Sequence, residues 1–311
     1  MPPFSGLLQF RPLYQTRVWG GRRLETVLRR TLPDAQPYGE SWELVDREHE
    51  QSVVAHGPHA GMTLHELWTT HRVNVFGDRY STWTAERFPL LIKILDCIDD
   101  LSIQVHPPAA VAPALGGEPK TEMWYVAHAD PGARIYAGLR RGVTRADFER
   151  ALADGTVAAA VYSIEARTGS SLFVPSGRLH ALGAGLLIYE IQQNSDTTYR
   201  VFDWNRVGLD GRPRDLHVAQ SLACIDFADI EPALGPVDGV LATSPFFRVS
   251  RARTGYQHPA GVARLIMPIT TTEWGDARLL PGALTLCPAS CSMPDPTGEW
   301  LEIELGESQP A

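Results

Sequence analysis

Short hydrophobic segments separated by turn residues run through most of the chain. Glycine and proline are frequent, with 27 and 24 residues, and they divide the sequence into pieces of about strand length. Segments bounded in this way and rich in β-branched, aromatic and leucine residues predict an all-β sandwich or barrel. The clearest of these strands are predicted at Leu90–Asp96, Leu101–His106, Glu122–Ala127, Ser171–Val174, Leu186–Gln193 and Tyr199–Trp204.

Helical patterns are few and short. Thr63-Leu-His-Glu66 is a capping-box sequence, and the apolar residues after it recur at helical spacing, which predicts a helix over Leu64–His71. Two more helices are predicted at Arg23–Arg30 and Arg145–Leu152. An alanine-rich stretch follows the second of them, so we expect residues 140–165 to form a small helical insertion between blocks of strands.

A change in composition after residue 204 suggests two domains. Residues 205–213 are rich in turn formers, and beyond them histidines and charged clusters become sparse. We therefore expect the chemistry to lie in a domain over residues 1–214, followed by a smaller β domain over residues 215–311. A chain of 311 residues is long enough for two domains.

Composition and charge narrow the class of protein. No apolar run reaches the roughly 18–20 residues that span a bilayer, and the start, Met1-Pro-Pro-Phe-Ser5, lacks the features of a signal peptide. A net charge of −8 argues against nucleic-acid binding, which requires a basic surface. The four cysteines are too few and too irregularly spaced for a disulfide framework. We expect a cytoplasmic monomer or weak homo-oligomer without nucleic-acid or membrane partners.

The sharpest polar pattern is Ser102-Ile-Gln-Val-His106. Alternate residues of a strand share a face, so Ser102, Gln104 and His106 are expected to point the same way. Polar groups on one face of an apolar segment must be hydrogen-bonded, solvated or bound to a ligand. Taken alone, Gln104 and His106 are more typical of a satisfied buried pair than of a ligand site.

Two further donor residues follow along the chain. Glu122 begins an aromatic-rich strand and His180 follows a proline–glycine turn, and each is also compatible with a purely structural role. Together with Gln104 and His106 they provide two imidazoles, one carboxylate and one amide oxygen, a set that suits zinc with room for water or substrate. One carboxylate against a divalent cation leaves a positive site, which can stabilise a developing enediolate.

The segment from Leu186 to Arg206 combines an apolar strand with a polar turn. Period-two alternation places Ile188, Glu190 and Gln192 on one face. The carboxylate of Glu190 is compatible there with a general base in a cavity or with a solvated outer face. Arg200 begins the next strand and is suited to pairing with a phosphate or an enediolate.

These segments resemble type I phosphomannose isomerases, in particular the short bacterial form. Beyond residue 200 the resemblance is loose, and the acidic residue that commonly follows His-Pro in the family is replaced by Pro108-Ala-Ala. Within residues 19–200 seven motifs occur in the order of the family, namely Trp19-Gly-Gly21, Tyr38-Gly-Glu-Ser-Trp-Glu43, Phe88-Pro-Leu-Leu-Ile-Lys-Ile-Leu95, Leu101-Ser-Ile-Gln-Val-His-Pro107, Lys120-Thr-Glu-Met-Trp-Tyr125, Val174-Pro-Ser-Gly-Arg-Leu-His180 and Glu190-Ile-Gln-Gln-Asn-Ser-Asp-Thr-Thr-Tyr-Arg200.

The resemblance implies a mainly β fold of two cupin, or jelly-roll, domains with a small helical insertion. It implies interconversion of mannose 6-phosphate and fructose 6-phosphate through a cis-enediolate, with one zinc ion per chain. The catalytic arginine of the family falls on Arg200 and its candidate base on Glu190. Ser102 and Lys120 match positions associated with phosphate binding. The family's metal ligands fall on Gln104, His106, Glu122 and His180.

Two alternatives share the metal-binding pattern. A non-catalytic cupin that binds or senses a sugar phosphate would keep the ligands but would need neither Glu190 nor Arg200, and both are present. A different metal-dependent cupin enzyme, such as an oxygenase, would typically use a histidine-rich set suited to iron, which this donor set fits less well. The fold itself does not decide between these functions.

Overall fold

The computed structural model describes residues 4–307, so Met1-Pro-Pro and residues 308–311 at the ends of the two predicted domains lie outside the described residues. Within residues 4–307 there are nineteen strands, β1 (Leu8–Gln9), β2 (Leu13–Gly21), β3 (Tyr38–Leu44), β4 (Leu90–Cys97), β5 (Ile103–Val105), β6 (Glu122–Ala129), β7 (Arg134–Leu139), β8 (Val161–Glu165), β9 (Ser171–Val174), β10 (His180–Leu182), β11 (Leu186–Gln193), β12 (Tyr199–Phe202), β13 (Gly239–Thr243), β14 (Phe247–Arg253), β15 (Arg264–Pro268), β16 (Thr272–Trp274), β17 (Ala277–Leu279), β18 (Thr285–Cys287) and β19 (Glu299–Leu305). The same residues include five α-helices, α1 (Arg23–Thr26), α2 (Leu64–Thr70), α3 (Arg72–Phe76), α4 (Arg145–Ala153) and α5 (Val218–Cys224).

The predicted mainly β class is confirmed, and the bounds of β9 and β11 are those predicted. Two other strands are shorter than expected. The strand predicted over Leu101–His106 is reduced to β5. Pro107 and Pro108, which lack the N–H groups that a ladder needs, follow one residue after its end. The strand predicted to reach Trp204 ends at Phe202, because Trp204 has a φ of 56°, outside the extended region.

The three predicted helices, α1, α2 and α4, begin where the sequence predicts, whereas α3 and α5 were not predicted. At the start of α2, the Thr63 hydroxyl accepts a hydrogen bond from the Glu66 N–H at 3.0 Å, and the Glu66 carboxylate accepts one from the Thr63 N–H at 2.8 Å. This is the predicted capping box. Helix α1 covers four residues instead of the predicted eight, and Arg29 beyond it has a left-handed φ of 58°. Helix α4 lies between β7 and β8, within the predicted helical insertion.

The described chain divides into two compact units, both discontinuous in sequence. One unit consists of Tyr14–Glu40 and Leu95–Gly235. The other consists of Ser41–Ile94 together with the described residues before Tyr14 and after Gly235. Each unit is built from separate segments of the chain, whereas the predicted boundary between residues 214 and 215 divides the chain at one position. That boundary stays a prediction.

The unit that contains Leu95–Gly235 holds the antiparallel strands of the candidate site. One sheet has the order β12-β5-β10-β7-β8. Its register places Arg200 of β12 and His180 of β10 on either side of Gln104 in β5, so these three residues form one row across the sheet. In a second group of strands, Glu122 of β6 lies opposite Gln192 of β11, and β9 pairs with the other edge of β6.

Apolar packing fixes the strand that carries Gln104. Ile103 and Val105 are fully buried in a cluster that also contains Leu179 and Val201. Because adjacent residues of a strand point to opposite faces, this packing turns Gln104 toward the other side of the sheet. The alternation of apolar and polar residues in the sequence therefore has a physical cause. One face of the strand packs against the apolar core, and the opposite face carries the polar side chain.

The other unit contains a six-stranded antiparallel sheet of order β1-β18-β15-β19-β14-β13. Its core includes Ile266, Trp274 and Trp300, all nearly or fully buried. A buried ion pair joins Arg264 to Glu302 at 3.1 Å within this unit. Among residues 4–307, no helix is both long and apolar enough to span a membrane.

Candidate metal centre

A buried cluster of two imidazoles and one carboxylate lies between the two groups of strands. The ligand atoms of His106, Glu122 and His180 all lie within 4.8 Å of one another. His106 Nε2 is 3.4 Å from Glu122 Oε2, and His180 Nε2 is 3.6 Å from Glu122 Oε1. All three side chains are at most 1% exposed. Within the described part of the chain, this is the one cluster of histidine, cysteine and acidic groups with such spacing.

Backbone carbonyls orient both imidazoles. His106 Nδ1 lies 2.9 Å from the Thr197 carbonyl, and His180 Nδ1 lies 2.8 Å from the Arg178 carbonyl. A carbonyl can only accept, so each Nδ1 carries the proton and each Nε2 presents a lone pair toward Glu122. This is the tautomer and the outer support that a metal-ligating histidine requires.

Two side chains of the cluster hold polar atoms without a hydrogen bond. His106 Nε2 and both carboxylate oxygens of Glu122 are buried and have no hydrogen-bond partner among residues 4–307, although Glu122 Oε2 forms the ion pair with Lys120. Leaving buried polar atoms unsatisfied costs free energy, so such atoms need an explanation. A cation bound by both would remove that cost. The nitrogen and oxygen donors present here therefore fit a metal ion such as zinc.

Gln104 lies at the edge of this cluster. One end of its amide is 3.3 Å from His180 Nε2, and its Oε1 accepts a hydrogen bond from the Ser102 hydroxyl at 3.2 Å. Rotation of the amide by half a turn would place its oxygen next to His180, which is the orientation that ligation requires. The structure thus brings all four predicted ligands together, and Ser102 is placed to orient the amide.

Lys120 is the cation beside the cluster. Its Nζ lies 3.0 Å from Glu122 Oε2, and its side chain is 5% exposed. Burial alone would lower the pKa of Lys120, but the carboxylates of Glu122 and Glu190 raise it, so the ammonium stays charged. Burial would raise the pKa of Glu122, but the positive charge of Lys120 holds it well below its usual range. The predicted phosphate contacts of Lys120 and Ser102 stay predictions.

Both histidines of the cluster are neutral. Burial lowers the pKa of His106 to about 3, and the charge of Lys120 acts in the same direction. Burial also lowers the pKa of His180. Because a metal ion competes with protons for imidazole, neutral rings at ordinary pH favour ligation.

Glu190 lies on the same face of β11 as Gln192, which is opposite Glu122. Its Oε2 accepts a hydrogen bond of 2.9 Å from Trp124 Nε1, and the residue is 4% exposed. The Trp124 ring also meets His180 edge-on, with 5.4 Å between ring centroids. The alternative of a solvated outer face for Glu190 is therefore wrong, and its carboxylate belongs to the interior that holds the cluster.

Arg200 borders the row of Gln104 and His180. Its Nη1 donates to the Asp215 carbonyl at 2.8 Å, and its backbone N–H donates to His217 Nδ1 at 3.3 Å. Its Nε is buried and has no hydrogen-bond partner among the described residues. The residue is half-buried, and this burial together with the nearby Arg214 lowers the pKa of Arg200.

Comparison with known proteins gives a consistent picture. Residues 7–116 match the type I phosphomannose isomerase catalytic domain. The chain is 40% identical over 241 residues to mannose-6-phosphate isomerase from Streptococcus mutans, an alignment that covers 75% of this chain and 74% of that protein. The chain belongs to the type I phosphomannose isomerase family.

Other relatives support this membership. Mannose-6-phosphate isomerase ManA of Bacillus subtilis is 38% identical over 225 residues, which is 72% of this chain and 69% of that protein. The crystal structure of mannose 6-phosphate isomerase from Bacillus subtilis matches with a TM-score of 0.81 and 27% identity, covering 96% of this chain and all of that one. The family and the cupin-like fold predicted from the motifs are thus confirmed.

Two supporting residues of this family member were missed by the sequence reasoning. Trp124 holds Glu190, and the carbonyl of Thr197 holds His106. Alternation offered a signal for the first, because Trp124 is two residues from Glu122 and therefore shares its face of β6. No local signal marks the second, since every residue carries a carbonyl group.

Without its metal ion, the protein is expected to lose stability as the pH falls from 6.5 to about 3. The upper limit is the usual pKa of histidine, and the lower limit is the pKa of His106 in the folded protein. In this window the unfolded chain binds a proton at His106 that the folded chain excludes, so stability rises with pH. One such group contributes up to about 1.4 kcal/mol per pH unit to the free energy of unfolding. Urea-unfolding midpoints at about pH 7, 5.5 and 4 measure this dependence.

A pair of variants makes this measurement specific. His106→Gln should weaken the pH dependence, whereas the same change at the exposed His49 should leave it as in the wild type. An unchanged pH dependence in His106→Gln would show that the protonation of this buried ring does not govern acid stability.

Proposed function

We propose that this protein interconverts mannose 6-phosphate and fructose 6-phosphate, using one zinc ion per chain held by the four predicted ligands. The observation that carries the proposal is the buried cluster of His106, Glu122 and His180, whose ligand atoms lie within 4.8 Å of one another. Relatives named as mannose-6-phosphate isomerases cover about three quarters of the chain. A non-catalytic sugar-phosphate-binding cupin is not favoured, because Glu190 and Arg200 both border the same cluster.

Zinc is proposed because the donor set contains imidazole nitrogens, a carboxylate and an amide oxygen. When bound, zinc would polarise the oxygens on C1 and C2 of the open-chain sugar and stabilise the charge that develops there. Its ligands would be Gln104, His106, Glu122 and His180. The unpaired His106 Nε2 and Glu122 Oε1 support this assignment.

Glu190 is proposed as the base that moves the proton between C1 and C2. It would remove the C2 proton of the aldose and return it to C1, while the hydroxyl proton moves from O2 to O1 at the cis-enediolate between the two steps. The hydrogen bond from Trp124 Nε1 to Glu190 Oε2 at 2.9 Å supports this role, because it holds one carboxylate oxygen in place. A base acts well only when it is held within reach of the proton it abstracts.

Arg200 is proposed to stabilise the enediolate. Its Nη1 is held by the Asp215 carbonyl, while its buried Nε has no partner within the described chain and is suited to donate to a substrate oxygen. Ser102 and Lys120 are proposed to bind the phosphate. The charged state of Lys120 supports this, and remote binding of that kind orients the reacting carbons. We also propose a cytoplasmic location and a monomer or weak homo-oligomer, since a phosphorylated sugar does not cross a membrane unaided.

The test is to measure bound metal and turnover on the purified protein. We expect one zinc per chain and formation of fructose 6-phosphate from mannose 6-phosphate at roughly 1–10³ per second, the common range for enzymes. Chelation should abolish turnover and added zinc should restore it. Unphosphorylated mannose serves as the control substrate and should react far more slowly. Zinc-loaded protein that is inactive on several aldose phosphates would refute the proposed function.

A further inference from the structure

A buried carboxylate lies three residues beyond Arg200 and takes no part in the chemistry described above. Asp203 is 5% exposed and directly follows β12. Removing a carboxylate from water is costly unless it is paired with charge and hydrogen bonds. Asp203 must therefore be paired, and the identity of its partners shows what it holds.

Two guanidinium groups converge on Asp203. Arg206 donates to its Oδ1 from Nη2 at 3.0 Å and from Nε at 3.2 Å. Arg214 donates to Oδ2 from Nε at 2.7 Å and to Oδ1 from Nη2, a bidentate pairing. Charge-assisted bidentate pairs are stronger than neutral hydrogen bonds and also define an orientation.

The two arginines flank a small hairpin. Val207 and Pro213 form an antiparallel bridge, and the Gly208 N–H donates to the Arg212 carbonyl at 2.7 Å. Arg206 lies just before this hairpin and Arg214 just after it, so Asp203 ties both of its ends to the end of β12. We call residues 204–214, with their ion pairs to Asp203, the hairpin clamp.

The backbone of the first two residues of the hairpin clamp is strained. Trp204 and Asn205 are consecutive non-glycine residues in the left-handed region, with φ values of 56° and 54°. Such conformations are unfavourable for non-glycine residues and persist only where surrounding contacts impose them. The ion pairs of Asp203 with Arg206 and Arg214 are contacts of that kind.

The segment that leaves the hairpin clamp holds Arg200. Directly after Arg214, the Asp215 carbonyl accepts a hydrogen bond of 2.8 Å from Arg200 Nη1. His217 follows, and its N–H donates to the Arg200 carbonyl at 2.7 Å while its Nδ1 accepts from the Arg200 N–H at 3.3 Å. Both the backbone and the guanidinium of Arg200 are therefore held by residues 215–217.

We infer that Asp203 is a positioning residue, which holds the hairpin clamp so that Asp215 and His217 keep Arg200 oriented toward the site. The inference rests on the proposed function for the role of Arg200. A misplacement of about 1 Å in such a group can cost on the order of 100-fold in rate. Asp203 thus acts at a distance from the substrate, through Arg214 and the chain that follows it.

The first test compares Asp203→Asn with Asp99→Asn. Asp99 also pairs with Arg206, at 3.2 Å, but its side chain is 61% exposed, which makes it the matched control. We expect Asp203→Asn to lower kcat about 10- to 100-fold with zinc content unchanged, and Asp99→Asn to stay within about twofold of the wild type. Arg214→Gln breaks the same clamp from its other side and should lower kcat in the same way. Wild-type kcat in folded Asp203→Asn would overturn the inference.

A double-mutant cycle tests the route through Arg200. In an Arg200→Lys background, Asp203→Asn should cause less than about a threefold further loss, since both changes disturb the same group. Equal losses in both backgrounds would show that Asp203 acts independently of Arg200, and would overturn the inference. A purely structural role would change stability or zinc content without this dependence on Arg200.

Hydrogen exchange separates this inference from the proposed function. Backbone amides of residues 199–217 should exchange faster in Asp203→Asn than in the wild type or in Asp99→Asn, whatever the substrate. Unchanged exchange would overturn the hairpin clamp even in an active isomerase. Faster exchange in a protein whose wild type does not turn over mannose 6-phosphate would support the clamp and refute the proposed function.

Discussion

Glu122→Ala is expected to lose the metal ion and to reduce the rate of isomerisation by more than about 100-fold. Loss of a residue that only supports a metal ligand costs up to about 100-fold, so loss of a ligand itself should cost more. Glu122 is the carboxylate of the proposed ligand set, and its two oxygens lie 3.4 and 3.6 Å from the Nε2 atoms of His106 and His180. Without it, two neutral imidazoles and an amide would face a divalent cation. The buried Lys120, 3.0 Å from Glu122 in the wild type, would then repel that cation with one carboxylate fewer to offset its charge.

Metal content and turnover of the purified variant measure this effect. Glu165→Ala is the control, because Glu165 is an exposed carboxylate at the end of β8 in the same unit. Truncation at position 122 removes the ion-pair partner of the buried Lys120 and leaves a void, so Glu122→Gln, which keeps the side-chain volume, should be studied in parallel. A folded Glu122→Ala protein that retains one zinc per chain would remove Glu122 from the ligand set.

Glu190→Gln is expected to keep the metal ion but to lower kcat by about 10²- to 10⁴-fold, the range for loss of a general base. An amide has the same shape as the carboxylate, and its oxygen can still accept the hydrogen bond from Trp124 Nε1, which is 2.9 Å long in the wild type. It cannot take up the proton from C2. The structure around the substitution should therefore persist while proton transfer fails.

Steady-state kinetics and metal analysis together identify this defect. Zinc content equal to the wild type, with an unchanged KM for mannose 6-phosphate, is the expected companion of the reduced kcat. Glu165→Gln serves as the control for removing a carboxylate elsewhere. Normal turnover by zinc-loaded Glu190→Gln would rule out Glu190 as the base and direct attention to other groups around the cluster.

The contrast between the two variants separates binding from chemistry. Glu122 lies 3.0 Å from Lys120 and beside both histidines, whereas Glu190 is held through Trp124. Loss of metal in the first variant and retention in the second would show that the two buried carboxylates have different tasks. Loss of metal in both would indicate that Glu190 contributes to the metal site.

Much of the fold and of the candidate site was predictable from local sequence patterns. The bounds of β11 and the capping box at Thr63 follow from residues close together in the chain, and the structure contains both. Strand alternation also gave the shared face of Ser102 and Gln104, whose side chains are hydrogen-bonded to each other. The pattern overestimated β5 and α1, because prolines after His106 and the left-handed Arg29 end these elements.

The sequence by itself determined the chemical types of the proposed metal ligands, the strand faces on which they lie and the family of the protein. Tertiary structure alone decided which strands meet, so that Gln104 lies between His180 and Arg200. It also decided that burial keeps His106 neutral and that Asp203 gathers two arginines. The reason is physical. Side-chain type and alternation are local properties, whereas distances, desolvation and ion pairs arise between residues far apart in the chain.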